Sequence, residues 1–247
     1  GHALAQDEQQ TPSTSDQPDQ PDQADLPAAT EIFDAYIEAV GGMDAIKSYT
    51  NRVMYGTYKN AKTGESQILT IYSQYPDKMR AEVEIPAIGN SIRATDGTTT
   101  WGTNISGTPF LLRGNERLEF LDSADFYGEA DYKNRYTSIK TVGIAKIDGH
   151  DAYHIEFVTE SGLRGFVFFD ADTKLLVARM IIHDDGTPDT LVLVQGYKDF
   201  NGLLIPTRQQ QRNGTDIISV MEYNIVKNNV DSLPDFSPPE GLVKTSE

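Results

Sequence analysis

Turn dipeptides constrain this chain more than any other feature. Asp96-Gly97, Asp148-Gly149, Asp185-Gly186, Asn201-Gly202 and Asn213-Gly214 punctuate runs of β-type residues, most densely between Thr141 and Val226. Asn-Gly and Asp-Gly accept the positive φ angles of two-residue hairpin turns, so each predicts a hairpin. Repeated along the chain, they predict an antiparallel meander. A sheet of that kind in 247 residues is commonly one domain with a substantial core.

Alternation supports the strands. From Lys78 to Ile85, Met79, Ala81, Val83 and Ile85 alternate with Lys78, Arg80, Glu82 and Glu84, the period of a sheet with one wet face. Further strands are expected over Arg52 to Lys59, Gln67 to Tyr75, Ser91 to Thr95, Thr98 to Thr103, Thr190 to Phe200, Leu204 to Gln211 and Asp216 to Val226. Tyr153, Ile155 and Phe157 should face one side, with His154 and Glu156 facing the other.

Two stretches read as helical. Thr30 to Val40 places Ile32, Phe33, Tyr36, Ile37 and Val40 on one stripe, with Thr30 as the cap and Gly41-Gly42 as the stop. A short turn over Met43 to Tyr49 follows. The first helix can serve equally as a closure of the core or as a lid over a cavity. Ser106 to Tyr136 then breaks the strand rhythm, with a helix expected within Asn115 to Phe126. A long non-strand insertion in a meander is a covering element or a functional loop.

Composition narrows the partners. Acidic residues outnumber basic ones 37 to 21, a net charge of −16, which disfavours nucleic acid. With no cysteine there is no disulfide, thiolate metal site or cysteine nucleophile. No apolar run approaches the ~18 residues of a membrane span. Ala3-Leu4-Ala5 before Gln6 reads like the end of a secretory signal peptide, placing the protein in the periplasm or outside the cell. Residues 1–27, rich in Gln, Asp and Pro, are expected to form a disordered tether, residues 28–231 a single β domain, and residues 232–247 a loose tail.

Catalytic signatures are missing. The sequence has no Gly-x-Ser-x-Gly elbow, phosphate-binding Gly-Lys-Ser/Thr loop or Gly-x-Gly-x-x-Gly fingerprint. His150 and His154 lie ~13 Å apart at strand rise, too far to share a metal unaided. His183-Asp184-Asp185 and Asp170-Ala171-Asp172 read as turns rather than metal loops. No catalytic residue, cofactor or metal is expected.

A series of phrases points to a family: Tyr36-Ile37-Glu38-Ala39-Val40-Gly41-Gly42, Tyr75-Pro76-Asp77-Lys78-Met79-Arg80, Asp96-Gly97 ahead of Trp101, Lys146-Ile147-Asp148-Gly149, Phe169-Asp170-Ala171-Asp172-Thr173-Lys174, and Tyr197 through Pro206. In this order they resemble the bacterial outer-membrane lipoprotein-sorting proteins of the LolA/LolB-like superfamily, over nearly all of residues 30–230. The resemblance implies a half-open antiparallel β-barrel covered by a few short helices, with an apolar cavity for acyl chains. It also implies a non-enzymatic carrier or binding protein for a lipid, a lipoprotein acyl chain or another hydrophobic ligand, periplasmic or associated with the outer membrane.

Met79, Val83, Ile85, Trp101, Phe110, Leu112, Leu118 and Phe120 are the candidate lining residues. Arg80 falls on the charged face by alternation, so the lid-controlling arginine of the LolA branch is not assigned to it. The LolB branch's lipidated cysteine has no counterpart here. Two alternatives remain: an envelope sensor or assembly module acting through protein contacts, and a hydrolase built on an unrecognised carboxylate pair.

Overall fold

The computed structural model describes residues 26–86, 89–185 and 189–242. Ala3-Leu4-Ala5, nearly all of the expected tether, Gly186 and residues 243–247 lie outside the described residues. Helices α1 (Ala29–Ala39) and α2 (Met43–Lys47) precede β1 (Asn51–Asn60), β2 (Ser66–Gln74), β3 (Lys78–Ile85), β4 (Gly89–Thr95), β5 (Thr100–Thr103) and β6 (Pro109–Leu111). Helix α3 (Gly114–Ser123), a 3-10 turn (Gly128–Asp131) and the short α4 (Tyr132–Arg135) follow. The chain then forms β7 (Tyr136–Ile147), β8 (His150–Thr159), β9 (Arg164–Asp170), β10 (Leu176–Ile182), β11 (Thr190–Phe200), β12 (Leu203–Asn213) and β13 (Asp216–Asn228).

These strands make one 13-stranded sheet in the order β6-β5-β4-β3-β2-β1-β13-β12-β11-β10-β9-β8-β7. It stays open, with β6 and β7 as its edges. Hairpins run outward from β1 to β6, and a second series runs inward from β7 to β13, so the two halves meet where β1 pairs antiparallel with β13. The chain must therefore pass from one edge of the sheet to the other between β6 and β7. That passage is why the strand rhythm breaks, after Leu111 rather than at the expected Ser106 because β6 still pairs with β5, and why α3 lies over the sheet's inner face.

Two of the turns have positive φ at both residues of the dipeptide, whereas at Asp96-Gly97 and Asn213-Gly214 only the glycine does. Asp148 and Gly149 have φ of 47° and 89°, and Asn201 and Gly202 have 57° and 86°, so both hairpins have positive φ at both central residues. Gly41, at φ 128°, ends the α1 region so close to the Gly202 carbonyl that a Cβ would collide with it. The helix is thereby held against the β11–β12 turn.

Helix α1 starts one residue before the expected Thr30. Its entry is held instead by the Glu31 carboxylate, which accepts the Ala28 N–H at 3.1 Å. Phe33 is fully buried, stacked 4.8 Å from Tyr132 and edge-on 5.0 Å from Phe169. Ile155, Phe157 and Val167 join it in the main core, as strand alternation requires. Burying side chains of this size contributes about 1.5–3 kcal/mol each.

The segment after β13, expected to be loose, packs on the outer face in its described part. Phe236 is 6% exposed, its carbonyl accepts the Trp101 indole N–H at 3.0 Å, and the Asp235 carbonyl accepts an Arg80 N–H at 3.0 Å. Prolines 234, 238 and 239 remove backbone donors, so side-chain anchoring takes the place of strand pairing there.

Candidate functional site

Between α3 and the inner face lie two adjoining chambers. The larger, about 590 Å3, has an apolar wall that includes Phe120, Leu176, Ile181, Val192, Val194 and Met221. The smaller, about 380 Å3, is walled by Met54, Ile71, Met79, Ala81, Phe126 and Tyr223. Phe120, Ser123, Asp125, Gln209 and Met221 border both. No apolar side chain of α3 is fully buried, although Leu118 touches the main core and the Asp122 carboxylate is enclosed, so the helix largely spans the hollow rather than filling it. Strand alternation from β1, β2, β3, β10, β11 and β13 supplies the apolar floor. A separate hollow of about 610 Å3, between the β11–β12 turn and the end of β13, is lined largely by polar groups including Asp199, Asn201, Lys227, Asn228 and Asp231.

At the far side of the larger chamber the crossing segment is tied to the sheet by a buried ion cluster. Asp122 accepts from Arg135 at 2.9 Å and from Arg179 of β10, with its side chain only 6% exposed. Arg135 also lies 3.3 Å from Asp125, and Arg179 lies 3.2 Å from Glu129. Arg179 sits over the Phe157 ring at 4.6 Å, and Tyr136 donates to Glu129 at 3.2 Å.

Burial by itself would lower both guanidiniums, but Asp122 together with Tyr136 and Glu129, and for Arg135 also Asp125, outweighs it and holds both above their ordinary value. The acids show the converse. Burial pushes the Asp125 carboxyl up against the pull of Arg135, and pushes Glu119 up against the pull of His183. Arg52, in the wall of the smaller chamber, is drawn down to about 10 by burial; it donates to Asn228 at 2.8 Å and faces the Phe126 ring.

The candidate residues named from sequence separate into groups. Met79 lines the smaller chamber and Phe120 borders both. Val83 packs nearby against the Leu69–Ile71–Tyr223 cluster, and Leu118 packs against the main core. Ile85 ends β3 opposite Gly89. Leu112, 2% exposed, lies beside the Thr98–Thr100 turn, and Phe110 sits on edge strand β6 beneath the Arg93 guanidinium. Trp101 is on the outer face: its partner Ala94 pairs with Arg80, which alternates with Met79 and Ala81, and the Arg80 guanidinium stands 5.8 Å from the indole.

Sequence reading missed Arg52, Asp122, Glu129, Arg135 and Arg179. One signal was available, since Arg179 interrupts the otherwise apolar run Leu175 to Ile182.

The two chambers offer apolar surface beneath α3. Asp170 accepts from the backbone of Asp172 at 3.1 Å and of Thr173 at 2.7 Å; burial would raise its carboxyl, but these bonds hold it below the ordinary range. That is a turn's geometry. Among the described residues no group of three or more His, Cys, Asp or Glu is placed to hold a metal ion, and no helix is long and apolar enough to cross a membrane.

No protein-family model matches the sequence, and no curated protein matches it. Solved structures do. A DUF1329 family protein from Desulfovibrio piger superposes with a TM-score of 0.60 at 11% identity, over 83% of this chain and 94% of that one. A LolA superfamily protein from Nitrosomonas europaea gives 0.59 at 15% identity, over 86% and 98%. A Vibrio parahaemolyticus protein described as an outer membrane lipoprotein-sorting protein domain gives 0.57 at 12%, over 81% and 95%. At these identities the likeness is one of fold, and the chain has the open, helix-covered antiparallel sheet of the LolA superfamily proteins.

Proposed function

We propose that this protein is a non-enzymatic periplasmic carrier that holds a hydrophobic ligand between its sheet and helix α3. The observation that carries this reading is the pair of adjoining chambers with apolar walls, roofed by a helix with no fully buried apolar side chain. A void of this kind in a structural core would be costly, because unfilled volume forfeits packing contacts. A site that fills and empties needs it. An acyl chain transferred from water gains roughly 0.8 kcal/mol per CH2. The shared fold with a lipoprotein-sorting protein domain supports the reading.

The test is native mass spectrometry on protein exported to the periplasm and purified without detergent. A co-purifying lipid or acylated peptide is expected. Ala81→Trp, which places an indole in the smaller chamber, should abolish uptake while the circular dichroism spectrum is retained. A protein that stays unliganded when offered lipid, with wild type and variant alike, would defeat the reading.

A further inference from the structure

Charge around the larger chamber is unbalanced. Its lining holds five carboxylates, Glu116, Glu119, Asp122, Asp125 and Glu129, against two guanidiniums, Arg135 and Arg179. Both guanidiniums are already taken by Asp122, Asp125 and Glu129. Glu116 is paired with Arg93 outside the chamber, at 3.0 Å. Glu119 has only His183, whose Nε2 is 3.3 Å away and makes no hydrogen bond. Counting Arg93, five negative groups face three positive ones, before the rest of an already acidic protein is added.

The smaller chamber differs. Its wall holds one carboxylate, Asp125, and one guanidinium, Arg52, among mostly apolar side chains. A ligand spanning both chambers thus meets a near-neutral apolar end and an acidic end.

Resting on the carrier reading above, we infer that this site takes amphiphiles whose polar end is cationic: a single alkyl or acyl chain bearing an amine, with the chain in the smaller chamber and the ammonium on the Glu119 and Asp125 side of the larger one. An ammonium supplies the positive charge the chamber lacks, and a carboxylate head of the same chain length adds to the excess. Opposite charges attract more strongly where the walls exclude water. Burial raises the Glu119 carboxyl against the pull of His183, and no guanidinium pairs with it. The overall acidity draws cations toward the mouth.

The experiment compares oleylamine, monoolein and oleic acid, each below its aggregation limit, in displacing a neutral fluorescent probe from the full chain at pH 7. The expected order is amine, then glyceride, then acid, with about tenfold or more between the first and last. Glu119→Gln should shrink the amine-to-glyceride ratio. If the acid binds as well as the amine, the inference fails and the carrier reading stands. An amine preference unchanged in Glu119→Gln, and removed by salt, also overturns it, because the order would then reflect overall protein charge. Failure of all three to displace the probe removes both. Should Glu119→Gln not fold, Asp125→Asn makes the same comparison from the other side of the chamber.

Discussion

Helices α1 and α3 lie over the same inner face, yet only α1 buries apolar side chains fully in the core. Helix α1 buries Ala29, Ile32, Phe33 and Ile37 against strands of the second half of the sheet, and α3 fully buries no apolar side chain. The difference follows from their sequences. The apolar residues of α1 recur as one stripe, whereas in Gly114–Ser123 Leu118, Phe120 and Leu121 are interrupted by Glu116, Arg117, Glu119 and Asp122. Where the first helix fills, the second bridges. Space for a ligand thus lies under one helix, and the close apolar packing lies under the other.

The sharpest way to break this contrast is a pair of truncations. Phe33→Ala should cost about 3–5 kcal/mol of unfolding free energy in urea, as a fully buried aromatic does. Phe120→Ala should cost about 1 kcal/mol or less while weakening ligand retention. Equal costs would mean that α3 is core after all.

Next is the ion cluster that ties the crossing segment down. Asp122→Ala strands Arg135 and Arg179 in a buried site and should cost about 3 kcal/mol. Asp151→Ala removes an exposed pair with Lys146 and should cost under about 1 kcal/mol in the same assay.

Hydrogen exchange would sharpen the comparison without mutation. Amides of Leu118–Ser123 should exchange well before those of Phe33–Ile37, and added ligand should slow the first set and leave the second unchanged.

The smallest effect is one of pH. Glu119 and Asp125 have raised carboxyls, so their contribution to folding is complete below the ordinary values of 4.5 and 3.8 and is lost as pH rises through the raised ones. Urea midpoints should therefore carry a component that declines with rising pH just above that range, and Glu119→Gln should flatten it.

Much of the fold was legible because turn chemistry is local. Asp148-Gly149 and Asn201-Gly202 specify their φ angles without help from distant residues. The stripe of α1 and the alternation around Ile155 and Phe157 were legible for the same reason. Trp101 was not, because which face it takes depends on its register with Ala94 and Arg80, and its burial depends on Phe236, 135 positions away in sequence. The Asp122–Arg135–Arg179 cluster was hidden likewise: its members meet only because the chain crosses from one sheet edge to the other, and no periodicity records that crossing.

One consequence of the strand order concerns how the protein is made. The middle of the sheet joins β1 to β13, near the two ends of the described chain, and the outermost strands β6 and β7 come from its centre. A nascent polypeptide emerging amino end first can complete the hairpins β1–β6 early, but β1 must wait for almost the entire remaining chain before its second neighbour exists. Contacts so far apart in sequence slow folding. Until residues 216–228 arrive, β1 presents an unpaired edge, and that is the interval in which a chaperone would find something to hold.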